Sequence, residues 1–158
     1  TETSGYENTL DGAIKLAKAM YTAIKFGNIS AWLHWSLSTT TLDSYSLMSS
    51  SGEKSKRYFV SKNFYKYIRP GAVRIDANAA DGTNIYPLAF QNVNGNTTTI
   101  VLINDAASAK AVQLSGNNLP SQFLKVITSA ADDAKDNGMT NSSEIILLPP
   151  NSVVTMFK

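Results

Sequence analysis

The chain contains no cysteine and a single histidine, His34, among its 158 residues. The missing cysteines exclude disulfide bonds, cysteine-ligated metal centres and a thiol nucleophile, and one histidine excludes a metal site built on several imidazoles. The 14 Lys and Arg nearly balance the 12 Asp and Glu, and a net charge of +2 does not indicate a nucleic-acid partner. No apolar run approaches the roughly 20 residues of a membrane span.

The chain begins with the pattern of a helix followed by a strand. Apolar residues recur at three-to-four spacing from Leu10 to Ile24, which predicts an amphipathic helix capped by Asn8 and ended at Gly27. The next segment, residues 29–37 (ISAWLHWSL), is mostly apolar and predicts a buried strand of a parallel sheet.

A polar loop and a second helix follow that strand. The loop, residues 38–54, has the length of a functional or disordered segment, and Ser55 is placed to cap a helix that runs to Ile68. Two helices cannot supply the neighbours that a parallel strand needs on both sides. Residues 1–70 are therefore expected to be part of a larger barrel of alternating strands and helices.

The remainder of the chain, residues 71–158, has an all-β pattern with turn signals between short alternating segments. These predict an antiparallel β-sandwich packed against the second helix. The acidic segment 130–143 is interpreted as a solvated loop, because it lacks the spacing of a calcium-binding loop. The predicted strands are residues 73–77, 85–90, 98–103, 111–114, 123–128, 145–148 and 153–157.

Several segments resemble glycoside hydrolase family 30, a family of retaining β-glycosidases. TETSG at residues 1–5 is similar to the end of its seventh barrel strand, and AWLHW at residues 31–35 is similar to its eighth strand with a W-x-x-W spacing. KNFYKYIRPGAVRID at residues 62–76 resembles the passage from the last barrel helix to the side β-domain. TIVLIND at residues 99–105 and SVVTMF at residues 152–157 look like that side domain.

The resemblance implies a fold and a division into domains. Residues 1–70 would be the C-terminal part of a (β/α)8 catalytic barrel of the TIM type, and residues 71–158 a side β-sandwich. The resemblance covers only the last third or so of a family member. It implies that a missing N-terminal barrel portion is the partner of this chain and carries the acid/base glutamate.

The resemblance also implies an activity. The longer protein of which this chain would be a part, called the parent here, would be a secreted, extracellular hydrolase of the xylanase or β-1,6-glycanase type. It would cleave plant or microbial polysaccharide by a two-carboxylate double displacement. No cofactor, metal, nucleic acid or membrane partner is implied. The 158-residue chain alone is expected to be inactive, because it supplies one carboxylate where this mechanism needs two.

Three residues are the candidate site residues. Glu2 matches the nucleophile of the family motif, although a glutamate near a chain end is otherwise typical of a solvated residue. Trp35 is implied as the sugar-stacking tryptophan, with Trp32 packed on helices, while both could instead be core residues. Tyr45 is the further candidate for a sugar contact in the loop after the strand, together with Asp43.

Two more features limit the function. His34 shares a face with Trp32, and a lone histidine is more typical of a core residue or of one that orients a carboxylate than of a catalytic triad. Residues 36–52 contain no Lys or Arg, so the loop lacks the charged clamp that a glucuronate substituent needs. A non-catalytic carbohydrate-binding or structural β-domain stays open as the alternative function.

Overall fold

The computed structural model describes residues 2–80 and 84–158, with only the backbone of Glu2 included. A turn signal at Asp81-Gly82 lies outside these residues. The described residues form two helices and twelve strands in the order β1 (Glu2–Thr3), α1 (Leu10–Lys25), β2 (Leu33–His34), β3 (Ser38–Thr39), β4 (Met48–Ser49), α2 (Lys56–Tyr65), β5 (Val73–Ile75), β6 (Ile85–Asn92), β7 (Thr97–Asn104), β8 (Lys110–Val112), β9 (Gln122–Thr128), β10 (Lys135–Asn141), β11 (Ile146–Leu148) and β12 (Ser152–Phe157). Within this described part of the chain, neither helix combines the length and the apolar character that crossing a bilayer would require.

Both helices begin at a side-chain cap. The prediction of Asn8 as the α1 cap is wrong by one residue: Thr9 is extended, and its hydroxyl accepts the Gly12 N–H at 3.1 Å. Ser55 caps α2 as predicted, since its hydroxyl accepts the Tyr58 N–H at 3.2 Å. Helix α2 ends at Tyr65, three residues before the predicted end.

The first strands form a parallel pair. β1 pairs with β2 in the register Glu2 to Leu33 and Thr3 to His34, and α1 connects them. The prediction of a buried strand over residues 29–37 is wrong in extent and in burial. Within the described residues β2 has a strand neighbour on one side only, so Leu33 and Leu37 are each 62% exposed.

The second half of the chain forms an antiparallel six-stranded sheet in the order β10-β9-β12-β7-β6-β5, with β8 and β11 as a separate pair. The prediction of a solvated loop at residues 130–143 is wrong, because β10 pairs with β9 there. β10 is an edge strand with a register shift between Asp136 and Met139 and mostly exposed polar residues. Such a strand has no apolar alternation that a sequence pattern could reveal.

Each face of the six-stranded sheet has its own apolar core. One face packs against α1 and α2, and the opposite face packs against the β8–β11 pair, which makes a β-sandwich. Phe64 is buried in the helix-side core and Phe59 packs against a smaller cluster that includes Val126 of β9, so the predicted packing of the second helix on the sandwich is confirmed. Burial of a phenylalanine ring contributes about 1.5–3 kcal/mol when it is complete.

Candidate functional site

The candidate site lies where the chain leaves the C-terminal ends of β1 and β2. These ends adjoin because the strands are parallel, and the Trp35 N–H donates to the Thr3 carbonyl at 2.9 Å. The loops that follow are also joined, since the Gly5 N–H donates to the Ser44 carbonyl at 3.0 Å. Catalytic groups of parallel barrels occupy this end of the strands.

Trp35 and Tyr45 present two exposed aromatic rings on adjacent backbone segments. Their exposed fractions are 56% and 53%, and the Ser36 N–H donates to the Tyr45 carbonyl. The peptide bond between Trp35 and Ser36 is cis. Exposed rings of this kind can stack on the apolar C–H faces of a sugar. The Ser36–Tyr45 backbone hydrogen bond joins the two segments that carry them. We call Trp35 and Tyr45 the aromatic rim.

Trp32 has a different environment from Trp35. It is partly buried and packs against the helix-side core, as the strand alternation predicts. It also lines a cleft of about 390 Å³, together with Met20, Ile24 and Phe64 of the helices. Its indole N–H has no acceptor among the described residues.

His34 holds the backbone of Tyr45 through a hydrogen bond. Its Nε2–H donates to the Tyr45 carbonyl at 3.1 Å. Burial lowers the pKa of His34 below its usual value, and the nearby charge of Arg57 lowers it further, so the imidazole is neutral at pH 7. A neutral ring whose Nε2–H is already engaged holds the Tyr45 backbone rather than transferring a proton.

Asp43 folds the loop that carries Tyr45. One carboxylate oxygen accepts the Tyr45 N–H at 2.9 Å, the Ser46 N–H at 2.7 Å and the Ser46 hydroxyl at 2.9 Å. These hydrogen bonds, those from Ser46 above all, lower the pKa of the Asp43 carboxyl. Asp43 therefore acts as a turn cap, and the prediction that it contacts sugar gains no support from this geometry.

Arg57, in the first turn of α2, is a site residue that the sequence did not reveal. Its side chain is fully buried and donates to the carbonyls of Tyr6 and Asp43 and, at 2.8 Å, to that of Ser46. A signal was available, because a cation in the first turn opposes the helix dipole and needs a specific reason to be there.

Glu2, the predicted catalytic residue, is described only in its backbone. The backbone of Glu2 pairs with Leu33 at the start of the site, and its side chain lies outside the described part. Glu7, the next carboxylate along the chain, is 66% exposed and contacts Lys15 at 3.4 Å. Within the described residues no cluster of three His, Asp or Glu is placed to hold a metal ion.

Comparison with known proteins connects both halves of the chain to one group of enzymes. Residues 71–156 match the family model described as glycosyl hydrolase family 30 beta sandwich domain. The chain is 29% identical over 147 residues to a glucuronoxylanase, XynC, of Bacillus subtilis, and 33% identical over 92 residues to the XynC of strain 168. These matches cover 90% and 58% of this chain.

A solved structure extends the likeness to the whole chain. The crystal structure of a GH30 endoxylanase from Clostridium papyrosolvens C71 superimposes with a TM-score of 0.86 and 28% identity over 99% of this chain. The chain spans 40% of that protein, 33% of the Bacillus subtilis XynC and 20% of the XynC of strain 168. The likeness thus includes the helices and the site as well as the sandwich.

Proposed function

The chain belongs to glycoside hydrolase family 30, and from that premise we propose that it is the C-terminal part of a retaining β-glycoside hydrolase acting on polysaccharide. The observation that carries the proposal is the parallel β1–β2 pair, in which the Thr3 carbonyl, one residue after Glu2, accepts the Trp35 N–H. A nucleophile and a sugar-stacking surface belong at this end of barrel strands.

The domain division is part of the same proposal. Residues 1–70 would supply the last two strand–helix units of a (β/α)8 barrel, and residues 71–158 the side β-sandwich. Leu33, Trp35 and Leu37 support the barrel, because they form an exposed row on one side of β2 and its continuation. A parallel strand with such a row is suited to face the interior of a closed barrel.

Glu2 is the proposed nucleophile. Its carboxylate would attack the anomeric carbon while a second carboxyl group, supplied by the rest of the barrel, protonates the leaving glycosidic oxygen. Water would then attack the glycosyl-enzyme bond, and the same second group would take the proton from that water. Trp35 and Tyr45 would hold the sugar rings during both steps.

Xylan or a β-1,6-linked glycan is the proposed substrate, without a required glucuronate substituent. Residues 36–52 contain no Lys or Arg, and the nearby Arg57 is buried with its terminal nitrogens bound to backbone carbonyls. No basic side chain of this loop can therefore hold a uronate carboxylate. Because such polymers lie outside the cell, we also propose that the parent is secreted.

The alternative, a non-catalytic carbohydrate-binding β-domain, gains no support from the sheet. Phe123 and Phe90 are 0% and 6% exposed, and Tyr86 and Phe157 pack at the edges of the cores. The described part of the sandwich thus offers no row of exposed aromatic rings for a glycan.

The test uses the full-length protein with xylan, glucuronoxylan and a β-1,6-glucan, and follows the anomeric configuration of new products by NMR. We expect hydrolysis with retained configuration and no preference for the glucuronate-decorated polymer. Inversion, or no hydrolysis of any of the three, would contradict the proposal. The 158-residue chain alone is the control and should release no sugar.

A further inference from the structure

Arg57 is the one charged side chain that is completely buried in the described residues. Within these residues no carboxylate lies within ion-pair distance of it. Burying a cation is costly, and here three backbone carbonyls accept from its terminal nitrogens while Nε has no acceptor among the described residues. A charged side chain that is fully buried without a carboxylate partner is expected to have a specific structural or functional role.

The guanidinium joins the two loops that border the candidate site. One terminal nitrogen donates to the Tyr6 carbonyl, in the loop after β1. The other donates to the carbonyls of Asp43 and Ser46, in the loop after β2. The planar fork of arginine can bridge acceptors on two segments, whereas the single ammonium of lysine is a point charge.

The residues held by Arg57 enclose Tyr45. The Tyr45 N–H donates to the Asp43 carboxylate at 2.9 Å, and its carbonyl accepts from the Ser36 N–H and from His34 Nε2. The Leu47 N–H in turn donates to the Ser36 carbonyl at 3.1 Å, one peptide after Trp35. The backbone of Tyr45 is therefore fixed by a network that ends on Arg57.

We propose that Arg57 is a positioning residue, which holds the backbone of Tyr45, and with it the aromatic rim, in the arrangement that binds the glycan chain. That the rim binds a glycan rests on the proposed function. That Arg57 positions Tyr45 rests only on the hydrogen bonds described above. Removal of the guanidinium leaves three carbonyls without their donor. Tyr6 and Asp43 are partly exposed, so their carbonyls can turn to water, whereas Ser46 is buried and must shift to do so. The rim should therefore loosen while the sandwich stays folded.

The test compares Arg57→Lys and Arg57→Met with Arg69→Lys in the full-length protein. Arg69 is an exposed arginine beyond the end of α2 that donates only to the Lys66 carbonyl, at 3.3 Å, among the described residues. The first readout is kinetic, on a long xylan. We expect both Arg57 variants to raise KM about tenfold with kcat within about threefold of wild type, because the rim binds the substrate and the transition state alike. Arg69→Lys should change neither constant.

The second readout is hydrogen exchange of the Tyr45, Ser46 and Leu47 amides, which needs no substrate. These amides should exchange at least about tenfold faster in Arg57→Lys, while amides of β7 and β12 keep their protection. If Arg57→Met does not fold, the Arg57→Lys protein alone decides. Unchanged exchange and unchanged KM in that variant would overturn the inference, as would a loss of protection spread equally over the sandwich. A wild type that hydrolyses nothing would contradict the proposed function, whereas the exchange measurement would still decide whether Arg57 positions the loop.

Discussion

Asn63 of α2 and Thr155 of β12 form hydrogen bonds in both directions across the interface between helix and sheet. Asn63 Nδ2 donates to the Thr155 hydroxyl oxygen at 3.0 Å, and that hydroxyl donates to the Asn63 carbonyl at 3.0 Å. The Thr128 hydroxyl donates to the side-chain oxygen of Asn63 as well. All three residues are fully buried, so this polar cluster fixes one orientation of α2 on the sandwich.

Asn63→Ala should destabilise the chain through this cluster. The change removes the acceptor of the buried Thr128 hydroxyl and the side-chain donor to Thr155, whose hydroxyl keeps the backbone carbonyl of residue 63. It should lower the free energy of unfolding by about 2–3 kcal/mol. Denaturant unfolding followed by circular dichroism measures it. Asn137→Ala is the control, because Asn137 is exposed on β10, and it should stay within about 0.5 kcal/mol of wild type. Equal losses for the two variants would contradict the role of Asn63.

Lys56 links the start of α2 to the loop between β9 and β10. Its ammonium donates to the Ser129 carbonyl at 2.7 Å, to the Asp133 carboxylate at 2.7 Å and, at 3.2 Å, to the Ala130 carbonyl. Lys56→Met should cost about 1–2 kcal/mol, since charged hydrogen bonds are lost while an unfavourable helix-dipole contact is relieved.

The matched control for Lys56 is Lys62→Met on the same helix. Lys62 makes no side-chain hydrogen bond or ion pair within the described residues, so the same chemical change should leave the unfolding midpoint nearly unaltered. A larger loss in Lys62→Met than in Lys56→Met would show that the loop does not depend on the Lys56 ammonium.

His34 should make stability depend on pH near neutrality. Burial lowers its pKa below the usual 6.5, so the unfolded chain takes up the proton first as the pH falls. The stabilisation is therefore complete above about pH 6.5 and is lost as the pH falls from there toward the lower folded-state pKa. As the single histidine, His34 should account for most of the slope.

His34→Gln is the variant that checks this dependence, because glutamine can still donate to the Tyr45 carbonyl. Unfolding midpoints of wild type and variant are compared between about pH 7.5 and about pH 5.5. The wild-type midpoint should fall over this interval and the variant's should stay nearly flat. Parallel profiles would show that His34 titrates alike in the folded and unfolded chain.

Trp35→Ala should weaken glycan binding in the full-length protein without removing the chemistry. A stacking ring contacts substrate and transition state alike, so we expect affinity to fall by about 1–3 kcal/mol while kcat is nearly kept. Titration calorimetry with xylo-oligosaccharides measures the affinity. Tyr65→Ala removes another exposed ring, 47% exposed on α2, and should leave affinity unchanged. If the two variants behave alike, Trp35 is not part of the sugar site.

The β-sandwich could be predicted from the sequence because its inner strands alternate. Val101 and Ile103 of β7 enter the helix-side core, and Ile100 and Leu102 enter the other. β10 was missed, since an exposed edge strand held by backbone pairing has no such alternation. The strand at residues 29–37 was predicted as buried from its apolar composition, whereas within the described residues it pairs only with β1.

The candidate site could be predicted only where a motif carries it. Trp35 was predicted from the family pattern and Tyr45 from its place in the loop after the strand. The structure leaves both rings exposed, and their contact with sugar stays a prediction. The acceptors of Arg57 lie far from it in sequence, as Tyr6 does, and such contacts leave no local pattern. The turn at Asp43 joins residues only two and three positions apart, but its residue types fit a sugar contact as well as a turn.

The central claim, that Glu2 is the nucleophile of a retaining glycosidase, is tested most directly by Glu2→Gln in the full-length protein. The amide is similar in size but cannot form the glycosyl-enzyme bond, so kcat should fall by several orders of magnitude, on the order of 10⁴-fold or more, while glycan binding is kept. Glu7→Gln, a nearby exposed carboxylate, should retain wild-type turnover. A mechanism-based fluorosugar should label Glu2 in the wild type, as mass spectrometry of the peptides would show. A label on another carboxylate, or near-normal turnover in Glu2→Gln, would contradict the account.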